Sequence, residues 1–221
     1  MLPLRMFKCI LATAIFLAPA AFACDRPICL AEASEFRFTR LIDFDDLTTS
    51  IGIGSKFDHV IIRDGASFGE RFAGQLRQER GDFDVIVGTP LMPLTVVDGG
   101  PGETLGTMRL LGSNVLHGHG HRRYPRVEAI GEGALAVLFD RDQPALGFDI
   151  RGGEAGEASV QFLRRDGSTI DTLTLGPLSE QSYVFHRNGM DPDIAGFLIV
   201  NTDPEGVAID NLRFESNDVI G

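Results

Sequence analysis

Three aspartates lie in two short acidic stretches near opposite ends of the sequence. The first stretch covers residues 42–47 (IDFDDL), and the second covers residues 207–215 (VAIDNLRFE). Both alternate apolar and acidic residues, which is the period of a half-buried β-strand. Since the first and last strands of a β-sandwich are often neighbours, we expect Asp43, Asp45 and Asp210 to lie close together. Clustered carboxylates repel one another unless they share a hard cation, so the pattern predicts a calcium site.

Two other interpretations of these aspartates remain open. Asp43 and Asp45 also suit the solvent face of an edge strand, where charges discourage pairing with other chains. Asp210 and Asn211 also suit a turn in which the side chains bond to the backbone.

Three histidines alternate with glycine in the sequence His-Gly-His-Gly-His at residues 117–121. In an extended segment this spacing places all three imidazoles on one face, which suits zinc or copper. His117, His119 and His121 are therefore a predicted transition-metal site. No general base is marked by its spacing to them, and the cupin pattern of His-x-His with a nearby glutamate is not met. The alternative is an exposed glycine-rich loop joined to a basic patch of His121, Arg122, Arg123 and Arg126.

No motif of nucleophilic or phosphate chemistry occurs in the sequence. It has no Gly-x-Ser-x-Gly elbow, no Gly-x4-Gly-Lys loop and no His-Glu-x-x-His. The acidic triplet 140–142 (DRD) and the glycine-rich stretch 98–103 both suit surface turns. We therefore predict no catalytic residue and favour a non-enzymatic protein. A small metalloprotein or metalloenzyme that uses the three histidines is the alternative.

The first 23 residues have the organisation of a signal peptide. Arg5 and Lys8 precede an apolar run at residues 9–19, and Ala21-Phe22-Ala23 provides a small-x-small cleavage site. No later run is apolar and long enough to span a bilayer. We expect a secreted or periplasmic protein with residues 1–23 removed and no transmembrane segment in the mature chain.

The charge of the mature chain limits its partners. Removal of the two basic residues in 1–23 leaves 18 basic against 31 acidic residues, a net charge of −13. Nucleic acids and anionic membranes require a positive surface, so neither is an expected partner. A polysaccharide or a cell-surface protein is compatible with this charge.

Two cysteines remain after cleavage, Cys24 and Cys29. In an oxidising compartment two close cysteines favour a disulfide, which would close a small loop. The alternative is lipidation of Cys24, which directly follows the cleavage site. Phe22 and the lack of a leucine at position 21 make a lipoprotein signal the weaker interpretation.

The rest of the chain has the pattern of an all-β protein. Its 26 glycines and 11 prolines mark many turns between short apolar runs. Residues 159–164 and 170–175 alternate clearly, and the Asp166-Gly167 pair between them is a strong hairpin signal. Only residues 68–80 suit a short helix. We predict an antiparallel β-sandwich (jelly roll) over residues 39–215, after an N-terminal segment at 24–38 and before a tail at 216–221.

The alternation also predicts which side chains of the sandwich point inward. Eight residues from four strands are expected in the core: Val160, Phe162, Leu173, Leu175, Phe197, Ile199, Ile209 and Phe214.

The C-terminal half carries a family resemblance in residues 133–139, 145–150, 194–197 and 209–214, together with the Asp166-Gly167 hairpin. It resembles a bacterial secreted jelly-roll domain of the kind found in exosortase-sorted (PEP-CTERM) surface proteins. It is also similar to calcium-containing carbohydrate-binding modules.

The resemblance to carbohydrate-binding modules implies a role for the same aspartates. In those modules an acidic pair on the first strand and an aspartate on the last strand hold a structural calcium, which matches Asp43, Asp45 and Asp210. The implied function is a calcium-stabilised, non-enzymatic module that binds a polysaccharide or a surface partner. The sequence has no Trp and only two Tyr for stacking on sugars, and it ends without a Pro-Glu-Pro sorting motif.

Overall fold

The structure, a computed structural model, describes residues 24–81 and 83–219. The predicted signal peptide at residues 1–23 and the last two residues of the predicted tail lie outside this range. Within the described residues no helix is long and apolar enough to cross a membrane.

Strands make up almost all of the regular structure, and two 3₁₀ turns (Ala33–Glu35 and Val127–Ala129) are the helical elements of the described residues. The strands in chain order are β1 (Ile28–Ala31), β2 (Phe36–Ile42), β3 (Ser55–Phe57), β4 (Ile61–Arg63), β5 (Ala66–Gly69), β6 (Arg71–Phe72), β7 (Leu76–Arg80), β8 (Phe83–Val87), β9 (Val96–Val97), β10 (Leu105–Leu110), β11 (Ser113–His119), β12 (Ile130–Gly133), β13 (Leu135–Gln143), β14 (Ala145–Gly152), β15 (Ala158–Leu163), β16 (Thr169–Leu175), β17 (Gln181–Arg187), β18 (Ile194–Asn201) and β19 (Val207–Val219).

Two antiparallel sheets face each other. The larger sheet has the order β1-β17-β14-β19-β11-β10-β3, with β12 beside β11 and β2 beside β19. The smaller sheet has the order β16-β15-β18-β13-β5-β4. Within them, the layer β11-β19-β14-β17 faces the layer β13-β18-β15-β16. This is the strand order of a jelly roll, so the predicted fold class is confirmed.

The core lies between the two sheets. All eight residues that were expected to point inward are buried there, including Phe162, Phe197 and Phe214, which are 0% exposed. Phe148 of β14 joins them, and its ring stacks on that of Phe197 with centroids 5.3 Å apart. Aromatic side chains from both sheets therefore fill the centre of the sandwich, as the period-2 pattern requires.

The predicted hairpin between β15 and β16 is present. The Arg164 N–H donates to the Ser168 carbonyl at 2.9 Å, and the Asp166 carboxylate accepts from the Ser168 N–H at 2.9 Å. Gly167 has a φ of +82°, a conformation that glycine adopts without a steric penalty. The Asp-Gly pair thus sets this turn.

Three local predictions are wrong. The surface turn expected at residues 140–142 is instead part of strand β13. Strand β2 ends at Ile42, and residues 43–47 form a turn in which the Leu47 N–H donates to the Phe44 carbonyl at 2.9 Å. Phe44 has a φ of +60° and is fully buried, so it leaves the strand to fill the core. The expected helix at 68–80 is replaced by β5, β6 and β7, because β5 pairs with β13 and places Phe68 in the core.

The N-terminal segment belongs to the larger sheet. Strand β1 pairs with β17, with Ile28 opposite Arg187. Cys24 and Cys29 form a disulfide with Cα atoms 5.8 Å apart, as predicted. Arg26, inside that small loop, donates two hydrogen bonds to the Asp171 carboxylate on β16, at 2.6 and 3.1 Å. These contacts fix the segment to both sheets.

Candidate ligand-binding face

The outer face of the larger sheet, turned away from the core, carries a group of polar side chains that neighbouring strands hold in fixed positions. On β14, Phe148 and Ile150 point into the core. Because successive side chains of a strand point to opposite faces, Gly147, Asp149 and Arg151 point outward. We call this surface the outer face.

Asp149 is the centre of a hydrogen-bond network on the outer face. Its carboxylate accepts from the Asn211 amide at 2.8 Å and from the Ser182 hydroxyl. Arg213 donates to it at 2.6 Å and Arg151 at 3.2 Å. Asp149 is only 6% exposed. Four donors from three strands therefore hold this carboxylate in one orientation, and we call the group the Asp149 network.

The donors also decide the charge of Asp149. Burial would raise the pKa of its carboxyl, but hydrogen bonds from Ser182 and Asn211 and the charge of Arg213 hold that pKa below its usual value. The side chain is therefore ionised across the neutral pH range.

Asp210 extends the network along β19. It is 1% exposed, and its carboxylate accepts from the Ser113 hydroxyl at 2.8 Å and from the Asn211 N–H at 2.7 Å. The Arg151 Nε atom lies 3.5 Å from it. Asn211 has a φ of +50° where the pairing of β14 with β19 changes register, so a bulge directs both Asp210 and Arg213 to the outer face.

Two hollows flank the network. The first, which we call the Arg151 hollow, has a volume of about 420 Å³. Its lining combines apolar and charged side chains, among them Met108, Leu110, His117, Arg151, Glu154 and Glu205.

The second hollow, which we call the Phe38 hollow, has a volume of about 460 Å³ and lies where β2 passes β19. Phe36 and Phe38 line it with stacked rings whose centroids are 5.9 Å apart. The rest of its lining includes Arg37, Arg40, Val184 and Arg213.

The Asp149 network connects the two hollows. Arg151 lines the first hollow, Arg213 lines the second, and both donate to the Asp149 carboxylate. A chain-like ligand that reached from one hollow to the other would cross these charged groups. The outer face thus has the features of an extended binding surface on a rigid sheet.

The smaller sheet has a hollow of its own. It has a volume of about 380 Å³ and lies between the β7–β8 ribbon and strands β15, β16 and β18. Hydroxyl and amide side chains line it, including Ser159, Gln161, Thr172 and Thr174. Among the described residues that line it, none forms a counterpart of the Asp149 network.

The predicted calcium ligands make separate contacts. Asp43 accepts the Asp45 N–H at 3.2 Å, and Asp45 accepts the Asn114 N–H at 2.7 Å. Asp210 belongs to the Asp149 network. Across residues 24–81 and 83–219, no three His, Cys, Asp or Glu side chains form a group that could hold a metal ion. Calcium binding stays a prediction.

The structure brings two of the three predicted histidines together. His117 and His119 lie on β11 with ring centroids 4.8 Å apart, edge to face, and each is 1% exposed. The exposed-loop interpretation is therefore wrong for both. His121 lies in a turn beyond the end of β11, so it does not share their strand face. Burial lowers the pKa of His117 to about 3 and also lowers that of His119.

A second group of charged residues is buried away from these hollows. Arg77 lies 3.0 Å from Asp84 and 3.6 Å from Glu70, and it also contacts Glu103. Burial raises the pKa of Glu70 to about 7 and that of Asp84 to about 6, in spite of the arginine. We call this the buried cluster. It joins the β7–β8 ribbon to the end of β5 and to the loop before β10.

Comparison with known proteins gives only weak similarities. No family model matches the chain, and no curated protein matches it. One similar solved structure is a carbohydrate-binding module specific for non-crystalline cellulose, with 20% identity and a TM-score of 0.32 over 50% of this chain and 79% of that one. Another is the enzymatically active domain of tailspike protein 4 of bacteriophage CBA120, with 17% identity and a TM-score of 0.28 over 51% of this chain and 17% of that one. Similarities this weak identify no ligand for this chain.

Proposed function

We propose that the protein is an exported, non-enzymatic module that binds a polysaccharide along the outer face of the larger sheet. The Asp149 network between two hollows is the observation that carries the proposal. Its donors and acceptors are held on three neighbouring strands, so little ordering is needed when a ligand binds.

The chemistry of the network favours a neutral polysaccharide. Sugar hydroxyls can accept from the guanidinium groups of Arg151 and Arg213, whose side chains are 26% and 24% exposed, while the buried carboxylates of Asp149 and Asp210 hold these arginines in place. Two negative and two positive charges balance within the network. The sequence as a whole has a net charge of −11, which disfavours a polyanionic ligand.

The Phe38 hollow supports the same proposal. Sugar rings present C–H faces that pack on aromatic side chains, and Phe38, which is partly exposed and stacks on the buried Phe36, provides such a surface in a protein that has no Trp. The volume of each hollow, about 420 and about 460 Å³, lies within the range of small-ligand sites.

Export and the N-terminus are part of the proposal. The pattern of residues 1–23 supports secretion or transport to the periplasm. The Cys24–Cys29 disulfide also supports an oxidising compartment, and a disulfide-bonded Cys24 has no free thiol for a lipid. The intact mass of the exported protein tests this, with cleavage after Ala23 and one disulfide as the expected result. A lipid adduct on Cys24 would refute it.

The binding proposal is tested with soluble neutral and acidic polysaccharides in affinity gels, followed by calorimetry on those that retard the protein. We expect binding to at least one neutral polysaccharide and at least tenfold weaker binding for Arg151→Ala and Phe38→Ala. Arg164→Ala is the matched control, because Arg164 pairs with Asp193 outside the outer face, at 3.0 Å. Equal affinities for all three variants, or binding of acidic polysaccharides alone, would contradict the proposal.

A further inference from the structure

We infer that His117 and His119 form a binding site for a divalent transition-metal ion at the wall of the Arg151 hollow. This inference is independent of polysaccharide binding, because it rests on two imidazoles outside the Asp149 network. Both histidines project from β11 on the outer face, and each is 1% exposed.

The first argument comes from the Nδ1 atoms. His117 Nδ1 lies 3.2 Å from the Gly118 carbonyl oxygen, and His119 Nδ1 lies 3.3 Å from the Thr104 carbonyl oxygen. A carbonyl oxygen only accepts, so these contacts assign the proton of each neutral ring to Nδ1. Each Nε2 then carries a lone pair. Histidines that bind metals have this arrangement, in which a carbonyl or carboxylate orients the ring through its other nitrogen.

The second argument is that neither lone pair is used. The Nε2 atoms of His117 and His119 are both inaccessible to solvent and have no hydrogen-bond partner in the structure. A buried acceptor without a partner is unfavourable, and native proteins contain few of them. Two on neighbouring rings indicate a shared partner, and a metal ion bound by both would provide it.

Gly106 leaves room for the pair. It lies opposite His117 on the neighbouring strand β10. A Cβ atom at Gly106 would lie 2.4 Å from His119 Cε1 and 2.8 Å from His117 Nε2, so any side chain there would displace both rings. The two imidazoles thus meet above a residue that has no side chain.

The donor type identifies the class of ion. Imidazole nitrogen suits zinc, copper and nickel, whereas calcium and magnesium prefer oxygen ligands. His117 lines the Arg151 hollow, so the proposed site lies at the wall of that hollow. With two protein nitrogens, we expect weaker binding than in a four-ligand structural zinc site and tighter binding of Cu²⁺ than of Zn²⁺.

The test uses the exported protein after treatment with a chelator, with Zn²⁺ as the probe in calorimetry and Cu²⁺ in competition. We expect one equivalent of zinc, at least tenfold weaker binding for His117→Gln and for His119→Gln, and unchanged binding for His186→Gln. Gly106→Ala retains both histidines and should also weaken zinc binding, since its methyl group displaces the rings. Each variant is first compared with wild type by thermal melting.

Nitrogen NMR of the wild-type protein tests the same site without a substitution. Zinc should shift the Nε2 resonances of His117 and His119 and leave those of His59 and His186 in place. No zinc binding by the wild type, no shift of the two Nε2 resonances, or equal affinity for wild type and both glutamine variants would each overturn the inference. The last two outcomes would place the zinc elsewhere on the protein.

Discussion

The Asp149 network and the buried cluster combine the same residue types, but the pKa values of their carboxyl groups are shifted in opposite directions. Both place carboxylates against arginines, and in both the carboxylates are almost inaccessible to solvent. Yet the pKa of Asp149 lies below its usual value, while burial raises the pKa of Glu70 to about 7 and that of Asp84 to about 6.

The number of hydrogen-bond donors explains this difference. Asp149 accepts from two neutral side chains as well as from two arginines. In the buried cluster, Glu70 Oε1 and Asp84 Oδ2 are buried without a hydrogen-bond partner. Arginine charge alone does not offset the cost of removing a carboxylate from water, and additional donors do. Asp149 on the outer face is therefore ionised in the folded protein, whereas protonation of the buried cluster is linked to folding.

The largest expected effect is the pH dependence caused by Glu70. Its pKa rises from 4.5 to about 7 on folding, so the folded state holds the proton longer than the unfolded state does. Stability should then fall as pH rises from 4.5 to 7, by about 3 kcal/mol in total at ~1.4 kcal/mol per pKa unit. Glu70→Gln remains neutral at every pH and should lack this decline.

The measurement is the free energy of unfolding of wild type and Glu70→Gln in denaturant at several pH values. The difference between the two proteins isolates Glu70, because every other titrating group is common to both. Identical pH slopes would show that Glu70 is ionised in the folded protein and that the buried cluster resembles the Asp149 network.

Calcium is expected to have the next largest effect. If Asp43, Asp45 and Asp210 share an ion that binds only the folded state, stability should rise by about 2.7 kcal/mol at a hundredfold excess of calcium over its Kd. Asp210→Asn should melt like the chelated wild type and gain little from calcium. If the wild type melts at the same temperature in calcium and in chelator, Asp210 binds no calcium and its role is confined to the hydrogen bonds of the Asp149 network.

The sequence predicts the sandwich well because its signals are local. Alternation within β15 and β16 and the Asp166-Gly167 turn between them are readable over about twenty residues, and the structure contains both. The acidic stretch at 42–47 was expected to be a strand because its apolar residues alternate with acidic ones. Phe44 fits that alternation, but it adopts a positive φ and the strand ends before it. Alternation identifies apolar positions without identifying such a turn.

The candidate site is less visible in the sequence. On β14, Asp149 and Arg151 flank Ile150, so the outward direction of both could be predicted from their spacing. Their partners could not, because Ser182 and Arg213 lie 33 and 64 residues from Asp149 along the chain. The order of strands in the sheet brings them together, and that order depends on long-range packing.

Asp149→Asn should change the free energy of unfolding less than calcium does. Its dependence on pH should be opposite to that of Glu70→Gln. The amide keeps the shape but brings an NH₂ group against donors, so we expect a loss of about 2 kcal/mol of stability at pH 7. Because the pKa of Asp149 is lowered, its contribution is present above the usual aspartate value and is lost as pH falls through the lowered value. The loss should therefore be equal at pH 6 and pH 8.

Chemical denaturation at both pH values measures this loss. Asp64→Asn is the control, since the Asp64 side chain is 83% exposed and its solvent-screened pairing with Arg40 contributes little to stability. A loss for Asp149→Asn that disappears at the higher pH would mean that this carboxylate is also strained by burial, and the contrast with Glu70 would fail.

The smallest expected effect is that of Arg213→Lys. Lysine keeps the charge but replaces the planar guanidinium, whose one Nη2 atom reaches both Asp149 at 2.6 Å and the Ser182 hydroxyl at 3.4 Å, with a compact ammonium group on a flexible stem. Because Asp149 retains three other donors, we expect a loss of only about 1 kcal/mol of stability. Arg77→Lys should cost more, since Arg77 uses three different nitrogens to reach Glu70, Asp84 and Glu103. Parallel denaturation of the two variants measures the difference. Equal losses of stability would show that the neutral donors around Asp149 do not stabilise its ionised form. The two regions would then differ only in how deeply their carboxylates are buried.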